Sequence, residues 1–157
     1  FGSEPALKEY MKEKPIARDA GIVNKDMLIS ILVSALYITF ICLSILFVEP
    51  IRALFGDVDV TYLKSAVFAV FMMTITFNGF NARTQHLNIF KGISKNKNFI
   101  LVMLSILVLQ FVFVTFGGEA LSVEALSPHT WLICVVMALL VIPVNMLKKL
   151  LVRNNKK

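Results

Sequence analysis

Four stretches of 18 to 22 residues run through this chain without one charged side chain: residues 27–48, 65–82, 98–118 and 130–147. A run of 22 residues extends about 33 Å as a helix, enough to cross a hydrocarbon layer about 30 Å thick. Each run is apolar all round rather than along one stripe, so a water-soluble bundle is excluded. None alternates every second residue over about ten residues, as the strands of a membrane barrel must. Composition agrees: 57% of positions are apolar, 17% are charged and the mean hydropathy is +0.77. A soluble globule of 157 residues cannot hide that much apolar surface, and a disordered chain would not contain it. The expected fold is an all-α membrane protein with four transmembrane helices.

The segments between the runs sort the charge. Fourteen of the sixteen Lys and Arg lie before the first run, between the second and third, or after the fourth. The other two, Arg52 and Lys64, sit in the opposite loops beside five acids. Basic residues are retained on the cytoplasmic side, so both termini and the middle loop are expected there. The net charge of +6 then marks topology and anionic headgroups, and nucleic acid drops out as a partner. Residues 1–26 read as a cytoplasmic loop leading from a preceding membrane helix, with at most a short helix around Ala6 to Glu13. Residues 27–157 read as the four-helix domain with a basic tail. The opening Phe-Gly-Ser-Glu-Pro has no Met and no signal-peptide pattern, which reads as a piece of a longer protein. In the loop 84–97, Leu87, Ile89, Phe90 and Ile93 are expected to dip into headgroups. Docking of a soluble domain is the other reading of that loop.

Chemistry is sparse. His86 and His129 fall in loops on opposite sides, and no nucleophile–base set accompanies either. Cys42 and Cys134 lie inside apolar runs without a Cys-x-x-Cys or Cys/His neighbour, so both read as buried thiols. No phosphate-binding loop is present: Gly117-Gly118 follows a span instead of opening a helix after a strand. No carboxylate falls within the four runs, which argues against an ion site built from charged ligands. Catalytic, cofactor-binding and metal-ligating residues are therefore expected to be absent.

What remains inside the membrane is neutral and polar: Asn78, Asn81, Gln110, Asn145 and several hydroxyls. Asn78 and Asn81 are three apart and share a helix face. Their expected role is hydrogen bonding to neighbouring helices, at about 0.6–2 kcal/mol each; a neutral pathway of amide oxygens is the alternative. Gln110 is read the same way. Pro143 is expected to kink the fourth helix, with Asn145 re-satisfying a freed backbone group. Tyr62 and Trp131 open spans at the outer interface, where amphipathic rings anchor.

Particular residues then bring a family into view. Glu4-Pro5, Met11 through Pro15, Arg18-Asp19, Ile22 and Met27 resemble the stretch after the sixth membrane helix of P-type calcium-transporting ATPases. Phe77-Asn78-Gly79-Phe80-Asn81-Ala82-Arg83 is similar to the Phe-Asn-x-x-Asn-Ala-Arg element of the eighth helix, and Asn88 to Gly92 to the Asn-x-Phe-x-Gly after it. Phe116-Gly117-Gly118, Leu126-Ser127 and Trp131 resemble the outer loop and the start of the tenth helix. The resemblance implies helices seven to ten of a ten-helix pump, closest to the plasma-membrane type and its bacterial relatives. In reticulum-type pumps a Glu of the eighth helix is a calcium ligand; the corresponding position is Ile75. The plasma-membrane type also lacks that Glu, so the departure points to the subgroup with one calcium per cycle.

The family's phosphorylated Asp, nucleotide pocket and calcium ligands of helices four and six are outside this chain. The implied role is a structural scaffold in a cation pump whose parent uses ATP, magnesium and calcium. Its implied partners are the lipid bilayer and the remaining helices and cytoplasmic domains of that parent. A bacterial cell membrane is the expected location, with a eukaryotic plasma or organelle membrane as the other. Two alternatives stay open: a free-standing four-helix accessory subunit or small transporter, and a P-type pump for another cation.

Overall fold

The computed structural model describes residues 25–84, 88–89 and 92–154, with side chains placed for 27–84, 88–89 and 92–151. The expectations for Ala6 to Glu13, His86, Leu87 and Phe90 lie outside these residues. Four helical spans appear, joined by short turns, and no strand occurs among the described residues. Helix α1 covers Lys25–Phe47, and a single-turn α2 (Glu49–Arg52) leads into the turn before the second span. Helix α3 covers Val60–Arg83 and α4 covers Lys97–Phe116. A one-turn α5 (Gly118–Leu121) precedes the fourth span, which consists of α6 (Pro128–Leu139) and α7 (Val141–Asn154).

The helix starts are set by side-chain caps. Asp59 accepts from the Thr61 amide at 3.0 Å and starts α3. That bond to the Thr61 amide, leading the causes, holds the Asp59 carboxyl below the usual carboxylate range. Helix α3 therefore begins five residues before the uncharged run, and Lys64 lies inside it. Lys64 is exposed, and its long stem lets the ammonium reach the interface while the backbone stays helical. Asn96 caps α4 through Phe99 N at 3.0 Å, and Ser127 caps α6 through Thr130 N at 3.2 Å. At the α4–α5 junction a Cβ on Gly117 would stand 2.3 Å from the Phe113 carbonyl, so only glycine fits there.

Helix α3 is the central pillar. It packs against α1, α4, α6 and α7, and 44% of its span is buried against 17% of the α4 span. Small residues make this possible. Ser65, Ala66 and Ala69 on α3 face a core that holds Cys134 and Ala138 of α6, all at 1% exposure or less. Small side chains let helix backbones approach closely, the main source of helix association in lipid. Cys134 is fully buried with its Sγ 3.8 Å from the Ala66 carbonyl, while Cys42 is half-buried; both are free thiols.

The fourth span breaks at Leu140. Pro143 has no N–H to give the Leu139 carbonyl, four residues earlier. Asn145 does not fill that gap. Its Nδ2 donates instead to the Val141 carbonyl at 3.1 Å, one turn back along α7. The last turn of α6 is met from outside: the Tyr37 hydroxyl of α1 donates to the Met137 carbonyl at 2.6 Å. A helix ending inside a membrane leaves carbonyls that need donors, and Tyr37 supplies one.

In the loop after α3, Ile89 departs from its expected role. Ile89 is 2% exposed and its carbonyl accepts from Arg83 Nη2 at 3.0 Å, so this residue turns into the protein rather than toward headgroups. Arg83 also lies over the Phe99 ring, 5.9 Å from its centroid.

Candidate functional site

Three helices meet at the end of the bundle where α1 starts and α3 ends. Each brings a polar ladder with a spacing of three or four residues: Ser30 and Ser34, Asn78 and Asn81, Asn145 and Lys149. That spacing stacks side chains on one face, so the ladders confront one another. The Ser34 hydroxyl donates to Asn78 Oδ1 at 3.2 Å. Asn145 Nδ2 lies 3.2 Å from Ser34 Oγ, 3.2 Å from Asn78 Oδ1 and 3.1 Å from the Val141 carbonyl. Two amide hydrogens are thus shared among three acceptors, with Asn145 as the hub. It is 3% exposed.

Toward the membrane surface the ladder becomes cationic. Asn81 Nδ2 donates to the Val141 carbonyl at 3.4 Å, a long bond, while its Oδ1 is buried without a donor among the described residues. Lys149 is only 9% exposed, and its ammonium donates to the carbonyls of Asn81 at 3.1 Å and Thr84 at 2.8 Å. Those carbonyls close the C-terminal end of α3, where a cation also complements the helix dipole. Lys148 donates to the Ser30 hydroxyl. Between these groups lies a cavity of about 300 Å³.

The chemistry available is narrow. Apart from Asn81 Oδ1, the amide and hydroxyl oxygens of the junction accept from donors within it, and the Lys148 and Lys149 ammonium groups join the lining. Among the described residues the cavity lining offers a cation no carboxylate and includes two lysines. Among the described residues no group of three or more His, Cys, Asp or Glu stands together to hold a metal ion.

The other polar residues fall elsewhere. Gln110 is 2% exposed in α4, and neither its amide nitrogen nor its oxygen has a partner among the described residues. Ile75 is 45% exposed on the outward side of α3. Tyr62 acts as a tie between α3 and the start of α6. Its hydroxyl accepts from Ser127 N at 2.9 Å and pairs with Thr130 Oγ1 at 2.8 Å. Trp131 packs on Phe111 with ring centroids 5.1 Å apart. Ser30, Ser34, Tyr37, Lys148 and Lys149 were not singled out from sequence. The i, i+4 spacing of Ser30 with Ser34 and of Lys149 with Asn145 is the signal that finds three of them.

Residues 1–151 match the family described as Cation transporting ATPase, C-terminus. The chain is 30% identical over 148 residues to plasma membrane calcium-transporting ATPase mca-1 of Caenorhabditis elegans, covering 87% of this chain and 12% of that protein. It is 32% identical over 146 residues to plasma membrane calcium-transporting ATPase 3 of Homo sapiens, covering 85% of this chain and 12% of that protein. Calcium-transporting ATPase 8, plasma membrane-type, of Arabidopsis thaliana is 31% identical over 155 residues, covering 95% of this chain and 14% of that protein.

Proposed function

Since the chain belongs to the family of cation-transporting ATPase C-terminal regions, we propose that it forms the membrane-support part of an ATP-driven calcium pump. It spans about an eighth of the length of its relatives, so activity belongs to a larger parent. The observation that carries the reading is the junction of α1, α3 and α7. Its amides and hydroxyls bond helix to helix across Ser34, Asn78 and Asn145. Groups committed to one another hold helices in register and are poorly placed to take and release a cargo ion. The four spans then serve as a fixed wall against which the ion-carrying helices of the parent move.

In this reading catalytic and metal-ligating residues lie outside the chain. The phosphorylated Asp, the nucleotide site with its magnesium and the calcium ligands are supplied by the remaining helices and the cytoplasmic domains. The protein is an integral membrane protein. Both termini and the loop after α3 face the cytoplasm, with the basic residues, in a plasma membrane or a bacterial cell membrane. Labelling of single cysteines introduced at Asp57 and Ser94, in a variant lacking Cys42 and Cys134, checks the orientation. Reagent applied outside intact cells is expected to reach position 57 and not 94, and the reverse pattern overturns it.

The function is tested on the full-length protein in sealed vesicles, with ATP inside the medium that bathes the cytoplasmic face. Calcium uptake that stops when the phosphorylated Asp is replaced is the expected result. Uptake of another cation with no response to calcium would reassign the cargo. A gene encoding only a four-helix protein, with no Asp-Lys-Thr-Gly motif upstream, would replace the pump reading with that of an accessory subunit.

A further inference from the structure

We infer that the cavity between α1, α3 and α7 is a water-filled crevice that carries solvent into the membrane-spanning part of the bundle, with one water held at Asn81. Its lining is the first reason. Ser34, Asn78, Asn81 and Asn145 stand on its wall together with Lys148 and Lys149. Hydroxyl, amide and ammonium groups are costly against acyl chains, and ionisable side chains within a span face either the bundle interior or water. Size is the second reason. A water occupies about 30 Å³ and needs two to four polar partners, so a cavity of about 300 Å³ admits a cluster rather than a single molecule.

Asn81 supplies the third reason. It lines the cavity at 5% exposure, and its Oδ1 has no donor among the described residues. A buried acceptor left unmade costs about 1–3 kcal/mol. Its Nδ2 is held by a 3.4 Å bond to the Val141 carbonyl, and the last torsion of Asn is broad, so a small turn of the amide brings Oδ1 against the cavity. A water there donates one hydrogen to Oδ1 and keeps its other hydrogen and its lone pairs for neighbouring waters. Depth gives the crevice its consequence. Ser34 lies seven residues past Met27, where the span begins, or about 10 Å along the axis. Solvent at that depth wets one side of the Ser34–Asn78–Asn145 junction, whichever cation the parent carries.

The test uses the full-length protein in membrane fragments open on both faces, with its native cysteines replaced and one cysteine introduced at a time. The reagent is a charged methanethiosulfonate, which stays in water and attacks the thiolate, a form that apolar surroundings suppress. The reference is Leu104→Cys in α4, which is 54% exposed and equally deep, seven residues past Lys97. Ser34→Cys should react at least about tenfold faster than this reference. Ile31→Cys, 49% exposed on the cavity wall, should do the same and reads the crevice if Ser34→Cys fails to fold. Rates at both positions no higher than at Leu104→Cys overturn the inference, whether acyl chains or a helix of the parent fills the space. A cryo-electron microscopy map of the unsubstituted protein, fine enough to show ordered water, should place one about 3 Å from Asn81 Oδ1. A map of that quality with no water there, or with an acyl chain in its place, overturns the assignment to Asn81.

Discussion

The two ends of the bundle are held by different devices. At the lysine-bearing end, Asn145 of α7 joins α1 and α3 through side chains buried in the span, far from any turn. At the opposite end, Tyr62 of α3 holds Ser127 and Thr130 at the start of α6, and Ser65 Oγ accepts from the Glu124 amide in the preceding loop. The first device fastens helix to helix; the second fastens a loop to a helix. The difference follows from what each end lacks. At that opposite end the helices already meet through Ser65, Ala66, Ala69, Cys134 and Ala138, packed backbone to backbone, and only the loop remains to be placed. At the other end the break at Leu140 interrupts the fourth span, and Pro143 prevents its ordinary repair. Polar side chains supply there the register that continuous helix would otherwise supply.

This contrast can be broken by substitution, read as melting temperature of the full-length protein in detergent. The largest loss is expected from Asn145→Leu, about 2 kcal/mol, because one change leaves Ser34, Asn78 and the Val141 carbonyl each short of a partner. A loss no greater than that of Tyr62→Phe would show that the two ends are fastened alike. Tyr62→Phe should cost about 1 kcal/mol, since the Ser127 amide can turn to water at the membrane edge. Proteolysis within residues 119–127 should rise with it, and an unchanged cleavage pattern would deny the loop-fastening role.

Asn81→Leu should cost less, about 0.6 kcal/mol, because its one side-chain bond among the described residues is 3.4 Å long. Calcium-dependent ATPase activity of the same preparation should keep its calcium affinity. A several-fold weaker affinity without a stability loss would revive the amide-pathway reading of Asn78 and Asn81. The smallest effect belongs to Gln110→Leu, within about 0.5 kcal/mol, since no bond within the described residues is lost. A loss approaching that of Asn145→Leu would reveal a partner for Gln110 outside this chain.

Four spans, an all-helical class and the family were legible from charge-free length and from spaced residues such as Phe77-Asn78 and Asn81-Ala82-Arg83. The reason is that lipid imposes its demand on every segment separately: each backbone must satisfy its own hydrogen bonds over a fixed thickness. Asn78 and Asn81 stood out because a buried amide in lipid is costly unless bonded, and residue type alone declares that cost. Their partners did not stand out. Ser34 lies 44 residues from Asn78 and Asn145 lies 67 residues from it, separations across which no local pattern operates.

The finer outcomes depended on which groups the folded chain brings within reach. Pro143 announced a defect in the fourth span, yet the donor that reaches the end of α6 is Tyr37 at the Met137 carbonyl, while Asn145 turns to Val141 and not to the Leu139 carbonyl. Tyr62 carried the pattern of an interfacial anchor, and the nearness of Ser127 and Thr130 added a tie that the pattern does not contain. Lys149 read as one more member of a basic tail until α3 ended beside it and offered two carbonyls. Amino-acid sequence by itself determined where the chain must be helical and within lipid, because apolar length is a local property. Tertiary structure alone decided which polar groups meet, because a hydrogen bond requires a partner within about 3 Å and helix packing sets that distance.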